Sequence, residues 1–468
     1  MAATELATST LTPARRKLAF YLLLLGAFMP SFNTFAVTIA LPAIRDAMGA
    51  NAAGASLVVS GYSSAYAVCL VTGGRLGDLY GRRFMFLAGM AGFTIASLIC
   101  ALAPSIELLI VARVLQGGFG AMMAPAVLAS LRVLFSSDEI PWALNVYGTA
   151  VGVAVAAGQF LGGVLIDWNL WGLGWRTTFL VNLPLGVFAL ALVPFLVPES
   201  GARERPRLDY GGVALLSATL GAFIVPLSVG RGAGWSSWVL VLLAASVPLA
   251  GAFAAYEWRL ARRGGMPILD AALMRIGRFR RGLIVAMLFF FTSPFYVFFS
   301  LYLQAGVGET PLEAGLAVLP YGIANFIGPM LATRFPPAVR PYLFGAGMAV
   351  QLVGYAGIAF AAANLIGGPV LFTAVFIAGF GQGVAMPEMI NTILGDVPPS
   401  HTGLAAGMMN STLQTGAAVS VPLFGGLFFA ILGDGAGPAA YGHALGLGMA
   451  AQIVTLALSM VLGRRNER

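Results

Sequence analysis

The chain has 468 residues, 59% of them hydrophobic and only 9% charged, with a net charge of +8. Water-soluble domains carry about 25% charged residues, so a soluble fold is excluded and the solvent this sequence calls for is lipid. The basic excess lies in arginines scattered through short polar segments, not the concentrated face of a nucleic-acid binder. Both cysteines, Cys69 and Cys100, lie inside apolar stretches, so no disulfide framework or cysteine metal spacing is on offer.

A helix that crosses the hydrocarbon needs about 20 apolar residues, and fourteen stretches qualify. The first six are Leu18–Leu41, Ala55–Leu76, Phe84–Leu102, Ile106–Val133, Trp142–Ile166 and Thr178–Val197. Tyr210–Val229 and Trp238–Trp258 follow an arginine-rich linker. The last six are Gly282–Gln304, Ala314–Thr333, Tyr342–Ala363, Pro369–Leu394, Gly403–Leu432 and His443–Leu462. The first stretch has no small-residue cleavage site after it and is predicted to be a span, not a signal peptide. With the amino terminus in the cytoplasm, the inner loops collect Arg15, Arg16, Lys17, Arg82, Arg83 and most later arginines, while the outer side keeps only Arg45, Arg176 and Arg231. The positive-inside bias therefore puts both termini in the cytoplasm, and the tryptophans fall at span ends or in loops, where an aromatic belt belongs.

The chain repeats itself at an offset of eight spans. Gly117-Gly118-Phe119-Gly120 through Pro125 in the fourth span matches Gly379-Phe380-Gly381-Gln382 through Pro387 in the twelfth. Gly162-Gly163 in the fifth matches Gly425-Gly426 in the thirteenth, and interior prolines recur at Pro30 and Pro294. The expected organisation is an N-terminal tail (1–17), a six-helix bundle (18–200), a linker and central two-helix hairpin (201–281), a second six-helix bundle (282–462) and a tail (463–468). Parallel repeats of this kind place a substrate site at the midplane between the halves.

Between the second and third spans lies a charged turn, Gly74-Arg75-Leu76-Gly77-Asp78-Leu79-Tyr80-Gly81-Arg82-Arg83. Its glycines let backbones approach, and Asp78 near a helix start suits the positive end of the dipole. Further on come Arg113-Val114-Leu115-Gln116-Gly117-Gly118, Gly174-Trp175-Arg176, Leu208-Asp209-Tyr210-Gly211-Gly212, Pro311-Leu312-Glu313-Ala314-Gly315 and Gly403-Leu404-Ala405-Ala406-Gly407. In this order and over nearly the whole chain, these segments resemble the fourteen-span drug:proton antiporter family of the major facilitator superfamily. The resemblance implies an all-α membrane protein of major facilitator fold, with two six-helix bundles plus a central two-helix hairpin. It also implies multidrug efflux from a bacterial plasma membrane: export of small apolar or cationic organic compounds by proton antiport and alternating access. The partners it implies are a small-molecule substrate, protons and the lipid bilayer, with a monomer expected. Two positions depart from the family pattern. Asn33 stands where an aspartate is usual, ahead of Ala40-Leu41-Pro42, and the pair Gly158-Gln159 stands where Gly-Pro is usual. They keep open a carrier for a metabolite or biosynthetic product, with different or no proton coupling.

The candidate residues follow from charge and depth. Arg113 sits about 10 Å into its span at ~1.5 Å per residue, where a charge costs about 2.5–3.5 kcal/mol on insertion scales and must find a partner or a wet cavity. Glu388, just after Pro387, is the one carboxylate predicted well inside a span, and a carboxyl in low dielectric holds its proton more tightly, as coupling requires. With Asn33, Gln116 and Gln159 these form the proposed coupling or substrate set, while Gly74, Asp78, Gly81, Arg82 and Arg83 form the proposed gate. The aromatic run Phe289-Phe290-Phe291, Phe295, Tyr296, Phe298 and Phe299 goes right round the ninth span, so part of it is expected to face lipid. The sequence holds no nucleotide cradle, catalytic triad or metal cluster, so no enzyme and no cofactor are expected.

Overall fold

The computed structural model describes residues 12–467 apart from 137–138, 200–208, 231–233, 264, 266, 268–270, 333, 337–338, 399–401 and 434–436. Among the described residues the secondary structure is helical, with no strand. Thirteen helical stretches are long and apolar enough to cross a membrane, and the helix Ala52–Tyr80 holds a further apolar stretch, Gly54–Leu70.

The first half contains α1 (Pro13–Met48), α2 (Ala52–Tyr80), α3 (Arg82–Leu102), α4 (Ile106–Leu134), α5 (Ile140–Asp167), the short α6 (Thr177–Leu180) and α7 (Asn182–Leu196). The hairpin is α8 (Tyr210–Val229) and α9 (Ser237–Arg262), followed by the short α10 (Ala271–Arg275). The second half contains α11 (Gly277–Phe290), α12 (Pro294–Leu301), a π-helical turn Tyr302–Val307, α13 (Pro311–Ala332), α14 (Arg340–Ala363), α15 (Pro369–Leu394), α16 (Thr402–Leu432) and α17 (Pro438–Glu467).

Packing repeats with the sequence. Helix α4 lies against α2 and α3, and eight spans later α15 lies against α13 and α14. Likewise α5 packs on α1, and α16 on α11. Glycine makes the closest approaches possible: a Cβ on Gly117 would sit 2.2 Å from the Tyr62 carbonyl oxygen, and one on Gly379 would sit 2.3 Å from that of Tyr321. Backbones that meet this closely gain dispersion contacts, the main attraction between helices in lipid. The halves meet along two seams, α2 against α16 and α5 against α13. Helix α8 leans on both α2 and α16, while α9 packs on α8 and leaves most of its surface exposed.

Cross-half contacts gather toward the end of the bundle that holds Met48 and Asp167. There Leu312 N donates to Asp167 Oδ2 (3.3 Å) and Gln304 Nε2 to the Ile39 carbonyl (3.0 Å), while the Phe35 and Tyr296 rings meet edge to face at 4.8 Å. Nearer the middle, Ser411 Oγ donates to the Ala67 carbonyl (3.3 Å). At the arginine-rich end the ion pairs Arg16–Glu139 (2.6 Å), Arg83–Glu199 (3.6 Å) and Arg278–Asp396 (3.1 Å) each stay within one half.

Two sequence expectations are corrected. The segment from Gly74 to Tyr80 is not a turn but the end of α2, and the reversal is made at Gly81, whose φ of 103° favours glycine. Charged residues at a helix end reach water without unwinding it, so charge alone did not mark the boundary. The aromatic run does not wrap one continuous helix, because α11 stops at Phe290 and a new helix starts at Pro294. Most of the run's rings point inward: Phe289, Phe291, Phe295, Tyr296, Phe298 and Phe299 are buried in protein, and Phe290 is half-buried.

Candidate functional site

Helix α4 starts where Ser105 Oγ accepts from Leu108 N (3.4 Å), and Arg113 follows two turns later. Its side chain is fully buried. Nε donates to the Val58 carbonyl (3.0 Å), and Nη1 donates to both Asn33 Oδ1 (2.5 Å) and Gln116 Oε1 (2.7 Å). Gln116 Nε2 in turn donates to Ser97 Oγ (2.8 Å). Four helices, α1 to α4, thus converge on one guanidinium. The Tyr62 ring covers it with its centroid at 4.1 Å, the Phe179 ring of α6 stands at 5.9 Å, and the Tyr62 hydroxyl donates to the Pro30 carbonyl (3.2 Å).

The acceptors that Arg113 uses are all neutral. It joins none of the ion pairs formed among the described residues. A buried charge without a counter-charge is unfavourable by several kcal/mol (~3–5), and the Tyr62 face offsets part of that, by about 2 kcal/mol where the cation is desolvated. Two donors remain over: Arg113 Nη2 and Asn33 Nδ2 are buried with no protein acceptor.

Of the sequence-derived set, the structure brings together Arg113, Asn33 and Gln116. Gln159 makes no hydrogen bond to them; it lies on α5 at the junction with α1 and α13, where its backbone carbonyl would meet a Cβ on Gly315 at 2.7 Å. It is fully buried, and neither side-chain amide atom has a protein partner. Glu388 lies in the other half on α15, half-buried, with Asn391 Nδ2 at 3.5 Å from its Oε2. It is not part of the Arg113 cluster.

The proposed gate residues anchor α3 within the first half. Arg82 Nη1 donates to the Ala129 carbonyl (3.0 Å), and Arg83 Nη1 to the carbonyls of Pro194 (3.2 Å) and Val197 (3.1 Å). The Glu199 carboxylate accepts from the amides of Arg83 (3.0 Å) and Phe84 (3.2 Å), an anion at a helix start. It lies directly over Gly81, where a Cβ would fall 2.6 Å from Glu199 Oε1. The surroundings of Gly74 and the side chain of Asp78 lie outside the described residues.

Sequence reasoning picked out Phe295 and Tyr296 in the aromatic run but missed the cluster they form with Tyr321 and Tyr355 in the C-terminal half. Phe295 stacks between Tyr321 (5.2 Å) and Tyr355 (5.7 Å) and meets Tyr296 at 5.3 Å. The Tyr321 hydroxyl bonds Gln382 Oε1, and the Tyr355 hydroxyl reaches the Thr292 carbonyl (3.5 Å). Tyr296 then meets Phe35 across the seam. The available signal was tyrosine deep inside a span: tyrosines favour the interfaces, and a buried hydroxyl needs a partner.

Two repeated helical bundles, joined along two seams and holding polar clusters inside their apolar spans, are the architecture of a membrane transporter. The model of the Major Facilitator Superfamily matches residues 23–422, and the chain belongs to that superfamily. It is 36% identical over 430 residues to a probable actinorhodin transporter of Streptomyces coelicolor, covering 90% of this chain and 74% of that one. It is 31% identical over 419 residues to the tetracenomycin C resistance and export protein of Streptomyces glaucescens, covering 87% and 75%. Among solved structures, a bacterial homolog of the human lysosomal transporter Spinster superposes with a TM-score of 0.68 at 14% identity, covering 98% of both chains. That likeness concerns the fold alone.

Proposed function

We propose that the chain is a secondary active exporter of small, antibiotic-like organic compounds in a bacterial plasma membrane, with both termini in the cytoplasm. The observation that carries this reading is the arrangement of the cross-half contacts. The arginine-rich end belongs on the cytoplasmic side, so contacts such as Leu312–Asp167 and Gln304–Ile39 close the outer face. Such a state, which any alternating-access carrier visits, is the one in which an exporter loads its cargo. The export of tetracenomycin C by the Streptomyces glaucescens relative supports outward direction, and the probable actinorhodin transporter supports an antibiotic-like cargo. The buried tyrosine cluster beside the seam suits an aromatic, largely apolar cargo.

Inward proton flow is the proposed drive, with Glu388 as the carrier and the residues around Gly81 holding the cytoplasmic end of α3. One observation favours a second reading. Arg113 faces the amide of Asn33, which cannot exchange a proton as a carboxylate would, and this suits a carrier coupled otherwise or not at all. Proteoliposomes with a pH gradient and an internal pH dye separate the two. Substrate-evoked proton release that Glu388→Gln abolishes supports antiport through Glu388. Substrate movement without proton flux supports the second reading.

A further inference from the structure

The Arg113 cluster carries one positive charge that the protein does not balance. A guanidinium keeps its proton in proteins, and this one is fully buried. Its acceptors are two side-chain amides and one backbone carbonyl, which orient it without neutralising it. Two donors of the same cluster, Arg113 Nη2 and Asn33 Nδ2, have no protein acceptor. They belong to groups already in contact, since Asn33 Oδ1 lies 2.5 Å from Arg113 Nη1.

We propose that Arg113 and Asn33 form a receptor for a monoanionic group, either the deprotonated acid of an aromatic cargo or a free small anion. The assignment deepens the exporter reading by naming the substrate's charge, and the cargo arm rests on that reading. Water would satisfy the two hydrogen bonds but leave the charge, whereas an anion satisfies both at once and makes the stronger, charge-assisted bonds. The aromatic walls of Tyr62 and Phe179 exclude water and strengthen the attraction. A carboxylate at position 33 would neutralise Arg113 from within, while an asparagine of the same shape leaves that to the ligand. A cationic group is disfavoured here for the same reason.

The test uses the full chain, purified in detergent with a bulky sulfonate as the only buffer anion. The probes are 1-naphthoate, its neutral methyl ester and chloride, with binding read by naphthyl fluorescence. Wild type should bind the acid tighter than the ester by about tenfold or more. Asn33→Asp should erase that preference while keeping or raising the thermal midpoint, because it supplies the missing charge internally. Arg113→Gln should erase it too, and if that variant fails to fold, Asn33→Asp decides alone. Competition by chloride assigns the site to a free anion, and no competition assigns it to the cargo's own acid. Equal binding of acid and ester by wild type, or a preference that survives in Asn33→Asp, overturns the proposal. Proteoliposomes keep it distinct from the export reading. If both probes are exported with no acid preference in binding, the anion receptor falls and export stands. If neither is exported while the preference persists, the receptor stands and its assignment to exported cargo falls.

Discussion

Replacing Gly117 by alanine tests whether the contact between α2 and α4 holds the arginine cluster in place. The new Cβ would lie 2.2 Å from the Tyr62 carbonyl oxygen, 3.0 Å from its carbon and 3.1 Å from its Cα. The first distance falls 1.2 Å short of the 3.4 Å at which ordinary contact begins. All three atoms are backbone, so relief comes only by moving the helices apart. Overpacking of this kind costs about 1–3 kcal/mol, and alanine's better helix propensity returns ~0.8–1 kcal/mol, leaving Gly117→Ala destabilised by up to ~2 kcal/mol. The adjacent Gly118 is the internal control: its Cβ would meet only Cys69 Sγ, at 3.6 Å. Gly118→Ala should therefore show the propensity gain alone, about 1 kcal/mol at most. Thermal unfolding in detergent, followed by tryptophan fluorescence, should move the two midpoints in opposite directions. Because Tyr62 covers Arg113 and bonds the Pro30 carbonyl, transport should fall in Gly117→Ala and persist in Gly118→Ala. Equal midpoints, or a Gly117→Ala protein more stable than wild type, would refute the argument from close approach.

Glu199→Ala removes the acceptor of the Arg83 and Phe84 amides, and the loss of this helix-start anion should lower stability by about 0.5–2 kcal/mol, read as a lower thermal midpoint. Glu139 offers a pH test. The Ser136 amide first, then the Ser136 hydroxyl and Arg16, hold its carboxyl below the usual 4.5. A depressed carboxylate contributes stability that is present above pH 4.5 and lost as pH falls through the lowered value. Wild type should therefore be more stable than Glu139→Gln at neutral pH and converge with it in acid, and a gap that survives full protonation would contradict the assignment. Arg113 and Glu388 lie in separate clusters, so the stability effects of Arg113→Gln and Glu388→Gln should add within about 0.5 kcal/mol. A larger coupling in the double variant would mean that the two groups meet in a state this conformation does not represent.

The spans were legible because lipid demands a long apolar run for each crossing, and the Arg113 cluster because a charge inside such a run must find partners. Asn33 and Gln116 were found as polar exceptions at motif positions, but nothing in the sequence showed that the Asn33 oxygen would point at Arg113. Glu388 shows the limit of depth arguments, since its position along α15 and its i,i+3 neighbour Asn391 follow from counting residues, whereas its half-burial depends on packing across helices. The break at Phe291–Ser293 and the positive φ of Gly81 escaped for a shared reason. Both are single-residue or single-turn events inside patterns that read as continuous. The tyrosines around Phe295 escaped because an uncharged hydroxyl leaves no mark on composition or charge.

The repeat doubled the scaffold without doubling the chemistry. Each half sets a glycine of its fourth span against a tyrosine carbonyl of its second, Gly117 on Tyr62 and Gly379 on Tyr321. Yet the repeat position of Arg113 is Val375, and that of Glu388 is Ala126. The strong interactions accordingly lie inside each half, in a buried guanidinium with three acceptors and in the stacked rings around Phe295. Across the seams the hydrogen bonds among the described residues are few and near 3.0–3.3 Å, each with a backbone atom on one side. Bonds of that kind contribute about 0.5–1.5 kcal/mol each and exchange readily for water when an end opens. Stronger contacts within each half than across the seams suit the alternating access proposed above. Under the alternating access proposed above, Arg113 would keep its partners, which all lie in one half, and the seams would carry the change of state.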